Sequence, residues 1–196
     1  MPAAQPTQLT QSTRKPAARL PDPLYPIPKH YKTIDESCPK QRELPPDYKP
    51  DHQAIARKSA TYRAPGKLFY GFGLKFQDLT DYAEEHSLFD PPRPVFHRPI
   101  DLENAVDRYT YASVFGLHHL RFHCGFQGLE IATPISPEYQ IGLMLYDNYT
   151  IDEFKLEREQ EENVVRILKE EIPVFRTQNP RWFFDRYDDK NGAWLD

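Results

Sequence analysis

Eleven of the chain's twenty prolines lie in its first fifty residues. Proline has no backbone N–H, so neither a long helix nor a central strand can run through such a stretch. Pro21, Pro23, Pro26 and Pro28 are closely spaced, which favours extended polyproline conformations without internal hydrogen bonds. Residues 1–55 are therefore expected to form a disordered or extended Pro-rich tail, with Tyr25, Ile27 and Tyr31 available as anchors along the surface. Residues 56–196 are expected to hold a single domain, because apolar patterning is concentrated there.

Charge separates the same two regions. Residues 1–50 carry eight Lys/Arg and five Asp/Glu, a net +3, and the remainder carries 17 and 24, a net −7. An acidic body lacks the clustered cations that attract phosphate, which argues against nucleic acid and anionic lipid as partners. No run approaches the roughly 20 apolar residues that span a bilayer. The first twenty residues contain no apolar signal core. Arg14, Lys15 and Arg19 in an acid-free stretch hint at mitochondrial import, but Pro2, Pro6 and Pro16 interrupt the helix that import needs. Two cysteines, Cys38 and Cys124, make no disulfide framework, which points to an intracellular setting, cytoplasmic or nuclear. The sequon at Asn148 carries little meaning without a secretory signal.

Periodicity gives the elements. "KLFYGFGLKF" alternates, with Leu68, Tyr70, Phe72, Leu74 and Phe76 on one side and the glycines Gly71 and Gly73 on the other, leaving room for close packing. Leu79, Tyr82, Ala83 and His86 predict a helix over 78–87. Asp101 is the expected N-cap of a helix over 102–115 that buries Leu102, Ala105, Val106 and Tyr109. Strands follow over 117–124, 128–133 and 139–146. Thr150 and Glu153 form a capping box, with Tyr149 and Phe154 at the staple positions, for a helix ending before Pro173. Val165, Leu168 and Ile172 face inward, while Glu157, Glu159, Glu161 and Glu162 read as a solvated face. The result is a two-layer α+β fold, a small antiparallel sheet of three to five strands covered by about three helices.

"GLHHLRFHCGF", residues 116–126, is the stretch richest in reactive side chains. Read as a strand, it turns Leu120, Phe122 and Cys124 inward and His119, Arg121 and His123 outward. The two histidines would then stand about 13 Å apart with a cation between them, too far to share one zinc. On a helix the same spacing would put them on one face, but that requires the preceding helix to continue through Gly116. The expectation is a strand, no structural zinc, no cofactor and no catalytic residue, with His119, Arg121 and His123 as a candidate ligand-binding surface.

"YGFGLKF" has the glycines and phenylalanine of an RNA-binding strand, but Lys75 stands where that motif needs a hydrophobic residue. "YDDKNG" fails as a calcium loop because the chain ends before the twelfth position. Pro45, Pro46 and Tyr48 match the PPxY peptide that WW domains grip as a polyproline turn, which makes a WW-type domain a candidate partner. "PPRP" at 91–94 reads as a loop.

"LFYGFGLKFQDLTDYAEEHSL", "HHLRFHCGF", "YQIGLMLYDNYT" and "NPRWFF" together resemble small uncharacterised proteins predicted from fungal genomes, over about residues 66–185. That resemblance implies a single α+β domain and supplies no activity. The functional expectation is a non-enzymatic protein-interaction domain with a Pro-rich tail. The alternatives are a ligand-binding domain or small enzyme using the His119, Arg121 and His123 surface, and a weak nucleic-acid binder. Other polar residues gathered beside the histidines would favour the ligand-binding reading.

Overall fold

The computed structural model describes residues 28–90, 100–154, 156–188 and 190. The polyproline reading of 21–26, the import signal and "PPRP" lie outside them. Four strands form one antiparallel sheet in the order β2-β3-β1-β4: β1 Leu68–Leu74, β2 Glu130–Ala132, β3 Ile141–Asp147 and β4 Arg181–Phe184. The expected α+β class holds. The period-two reading of β1 holds as well: Leu68, Tyr70, Phe72 and Leu74 join the main core, and Phe69 joins a smaller cluster with Met144, Phe183 and Ala132.

A register shift between Tyr70 and Gly71 pairs Tyr70 with Tyr146 and Gly71 with Met144, so Leu145 is the extra residue of a bulge. Leu145 and Tyr146 therefore both belong to the main core, and Tyr146 stacks on Tyr70 with ring centroids 5.1 Å apart. The glycine face is filled as expected. A Cβ on Gly73 would collide with the Tyr139 ring, and one on Gly71 would lie 2.7 Å from the Met144 Cα.

Three helical runs cover the main core: α3 Phe76–Glu85, α4 Ala105–Tyr111 continued into α5 Leu117–Cys124, and α6 Arg158–Glu171. Helix α6 begins later than expected. Thr150 lies in a turn held by Asp147, whose Oδ1 accepts from the backbone of Tyr149 and Thr150, both at 2.8 Å. The Thr150 carbonyl accepts from Glu153 and Phe154. The capping box falls instead on Glu157 and Gln160. Leu168 and Ile172 are buried as expected, but Val164 rather than Val165 is the third inward residue.

The N-terminal reading needs correction over residues 28–55. Helices α1 His30–Ser37 and α2 His52–Ala56 flank a 3-10 turn, Pro46–Tyr48. Tyr31, Cys38 and Leu44 are 3%, 5% and 4% exposed and belong to the main core. Polar contacts secure the segment: Arg181 pairs with Asp35 at 2.9 Å, and Trp182 Nε1 donates to the Arg42 carbonyl at 3.0 Å. Here the prolines act as turn formers. The Pro28 and Pro45 carbonyls accept from Tyr31 and Tyr48, each at 3.0 Å.

Asn148 is fully buried, so its sequon is not presented. Its Oδ1 accepts from Leu68, and its Nδ2 donates to the Tyr48 and Gly66 carbonyls at 2.9 and 3.0 Å. Among the described residues, no helix is long and apolar enough to cross a membrane.

Candidate functional site: a histidine cluster on three helices

The segment read as a strand over 117–124 is helical. Asn104, not Asp101, caps α4: its Oδ1 accepts from Val106 and Asp107 at 2.9 and 3.3 Å. The helix continues through a π turn over Ala112–Gly116 into α5 and ends at Gly125, a left-handed residue with φ 63°. Gly116 passes α3 closely; a Cβ there would sit 3.3 Å from the Leu79 Cδ1.

The π turn adds a residue and rotates the helix face downstream of it. The inward residues around the turn are Asp107, Tyr111, Ala112 and Gly116, while Val106 is 60% exposed. Leu120 and Cys124, four apart, are buried. Phe122, expected inside, is 78% exposed, because helical spacing turns it away from both.

The helix brings His119 and His123 together, with ring centroids 4.2 Å apart. His86, at the C-cap of α3, joins them at 4.9 Å from His119 and 6.1 Å from His123. Glu171, the last residue of α6, closes the group. Its Oε2 lies 3.0 Å from His86 Nε2 and its Oε1 lies 3.4 Å from His123 Nδ1. The Tyr82 hydroxyl is 2.6 Å from His119 Nδ1.

Arg121 does not belong to this group. Its Nε donates to the Leu129 carbonyl at 2.8 Å, holding the approach to β2. The expected His119, Arg121 and His123 surface thus divides into two places, and the cation between the histidines is gone. Sequence reasoning missed His86, Tyr82 and Glu171. The available signal was the i, i+4 spacing of His119 and His123, together with His86 completing an otherwise apolar helical pattern.

Burial lowers the pKa of His119, and the charge that His123 and His86 can carry lowers it further, while Glu171 opposes them. Burial likewise raises Tyr82 well above the ordinary phenol range, with Glu171 adding to it. Burial thus favours the neutral form of the His119 imidazole and of the Tyr82 phenol. Among the described residues, no group of three or more His, Cys, Asp or Glu side chains is placed to hold a metal ion.

A second polar feature lies beside α6. Glu161, expected on a solvated face, is 6% exposed. It accepts from Arg42 Nε and the neighbouring guanidinium nitrogen at 2.9 and 2.6 Å, and from the Tyr146 hydroxyl at 3.1 Å. A surface cavity of about 510 Å³ borders this pair. Glu157 caps α6, and Glu162 pairs with Arg158 at 2.8 Å, so these two keep surface roles.

The strand compared with RNA-binding modules offers no stacking platform, because Phe69, Tyr70 and Phe72 are all buried. The PPxY motif is also occupied. Pro46–Tyr48 is a 3-10 turn, and the Tyr48 ring packs 6.1 Å from Phe184. A WW domain requires an extended proline turn and a free tyrosine. Titrated into a WW domain, a peptide covering residues 40–52 is expected to bind at least tenfold more tightly than the folded chain, about 1.4 kcal/mol. Equal affinity would show that the turn opens freely.

Both thiols are buried, and burial pushes Cys38 and Cys124 up to about 12. Disulfide-exchange reagents at pH 8 are expected to label neither in the native chain and both in denaturant. The folded thiols hold their protons to higher pH than the unfolded ones, whose ordinary value is 9.0. Their contribution to stability is therefore intact below about pH 9 and lost as pH rises toward 12. Rapid native labelling would place a thiol at the surface.

No protein-family model, curated protein or solved structure matches this chain.

Proposed function

We propose that this protein is a small non-enzymatic ligand-binding domain whose site is formed by His86, His119 and His123, with Glu171 and Tyr82 supporting them. The convergence of three imidazoles and a carboxylate from three helices carries this reading. The seam between α3, α5 and α6 would pack more favourably with aliphatic side chains, since gathering titratable groups costs desolvation. Local choices that work against packing are expected at functional sites. The unpaired cysteines support a reducing, intracellular setting. A partner-docking role is the weaker reading. Its support is the exposed Phe122, and single exposed apolar residues are ordinary.

A fragment screen read on the imidazole resonances tests the proposal. Fragments carrying carboxylate, phosphate, amine or phenol groups are expected to shift His86, His119 and His123 together, and His119→Gln should abolish the effect. Shifts confined to the cavity beside Arg42, or none at millimolar concentration, would refute it.

A further inference from the structure

Resting on that reading, we propose that His119 Nε2 and His123 Nε2 form a two-point chelate for a nitrogen-preferring divalent transition ion, Cu²⁺, Ni²⁺ or Zn²⁺. Water completes the coordination shell. The pair stands four residues apart on α5 with ring centroids 4.2 Å apart, the helical spacing that places two side chains on one face. The opposite ring nitrogens each lie beside an oxygen atom. His119 Nδ1 meets the Tyr82 hydroxyl at 2.6 Å, and His123 Nδ1 meets Glu171 Oε1 at 3.4 Å. In the tautomer with the proton on Nδ1, His119 donates to the Tyr82 hydroxyl oxygen, the His123 Nδ1 lies beside the Glu171 carboxylate, and both Nε2 lone pairs are left for an ion. Ligating histidines are oriented in this way by an outer carboxylate or other acceptor.

His86 Nε2 holds the other oxygen of Glu171 at 3.0 Å, so its role is to position the carboxylate rather than to ligate. On the helix Arg121 does not stand between His119 and His123, and its Nε donates instead to the Leu129 carbonyl. A two-histidine chelate agrees with the lack of a preformed group of three ligands among the described residues. It also predicts that the fold does not depend on the ion, unlike a closed four-ligand zinc site. Imidazole donors favour Cu²⁺, Ni²⁺ and Zn²⁺ over Mg²⁺ and Ca²⁺, which prefer oxygen.

The test uses the full chain without a histidine tag. Calorimetric titration with Cu²⁺ and Ni²⁺ is expected to give one ion per chain, with no response to Mg²⁺ or Ca²⁺. Paramagnetic resonance of the Cu²⁺ form should show coupling to two imidazole nitrogens. His119→Ala and His123→Ala are each expected to weaken binding at least tenfold and reduce the coupling to one nitrogen, while His118→Ala, on the exposed side of α5, changes neither. His119→Gln and circular dichroism guard against loss through unfolding. Tyr82→Phe should lower affinity by about tenfold or more with two-nitrogen coupling retained. Binding unaffected by either alanine, or coupling to a single nitrogen in the wild type, would overturn the chelate. If no ion binds while fragments still shift the three imidazoles, the chelate fails and the ligand-site reading stands. If neither does, both fall.

Discussion

A chain shortened to begin at residue 52 is expected not to fold. It loses Tyr31, Cys38 and Leu44 from the main core, and the half-buried Tyr48 that rests on Phe184. Each fully buried apolar side chain contributes about 1.5–3 kcal/mol. The truncation also strips partners from groups that stay behind. Trp182 Nε1 loses the Arg42 carbonyl, Asn148 loses the Tyr48 carbonyl, Arg181 loses Asp35 and Glu161 loses Arg42. A typical domain is stable by only about 5–15 kcal/mol, so the sum exceeds what the remainder can absorb. Urea titration followed by circular dichroism checks this. A cooperative transition near the full-length midpoint would restore the view of these residues as a dispensable tail.

Arg42→Ala is expected to destabilise the protein by about 3 kcal/mol, the low end for breaking a buried ion pair. The low end applies because the Arg42 side chain is 46% exposed and partly screened, whereas that of Glu161 is 8% exposed. With the guanidinium gone, the Glu161 carboxylate keeps the Tyr146 hydroxyl and no cation within the pair. The double variant Arg42→Met, Glu161→Leu should recover most of the loss, since it removes both charges and their desolvation cost together. Denaturant midpoints of the three chains distinguish the cases. A single variant as stable as wild type would mean that the pair is solvated and contributes little.

The same contrast between local and distant causes decides how much the sequence could reveal. Strand β1 was legible because its alternation is local, and Gly71 and Gly73 announced close packing on one side. Helix α3 was legible from Leu79, Tyr82 and Ala83. The bulge at Leu145 was not, because it arises from pairing with a strand seventy residues away.

The N-terminal segment misled for a related reason. Proline density forbids long regular elements, but it does not forbid short turns whose tyrosines and leucines are buried by a partner such as β4. "GLHHLRFHC" was ambiguous between period two and period 3.6, and Gly116 favoured a break. In the fold that glycine lets α3 approach, and the π turn carries the helix onward. His86 and Glu171 could not have been joined to His119 from sequence, because they meet only when the ends of α3 and α6 converge on α5.

The central claim is that His119 and His123 share a helical face and meet His86 and Glu171. Nuclear Overhauser contacts among the imidazole ring protons test it most directly. Cross-peaks linking His119 with His123, and His86 with His119, are predicted, along with sequential amide contacts running unbroken from Tyr111 to Cys124. A strand would hold His119 and His123 about 13 Å apart. Silence between those rings, with strand-type contacts through residues 117–124, would contradict the site and everything built on it.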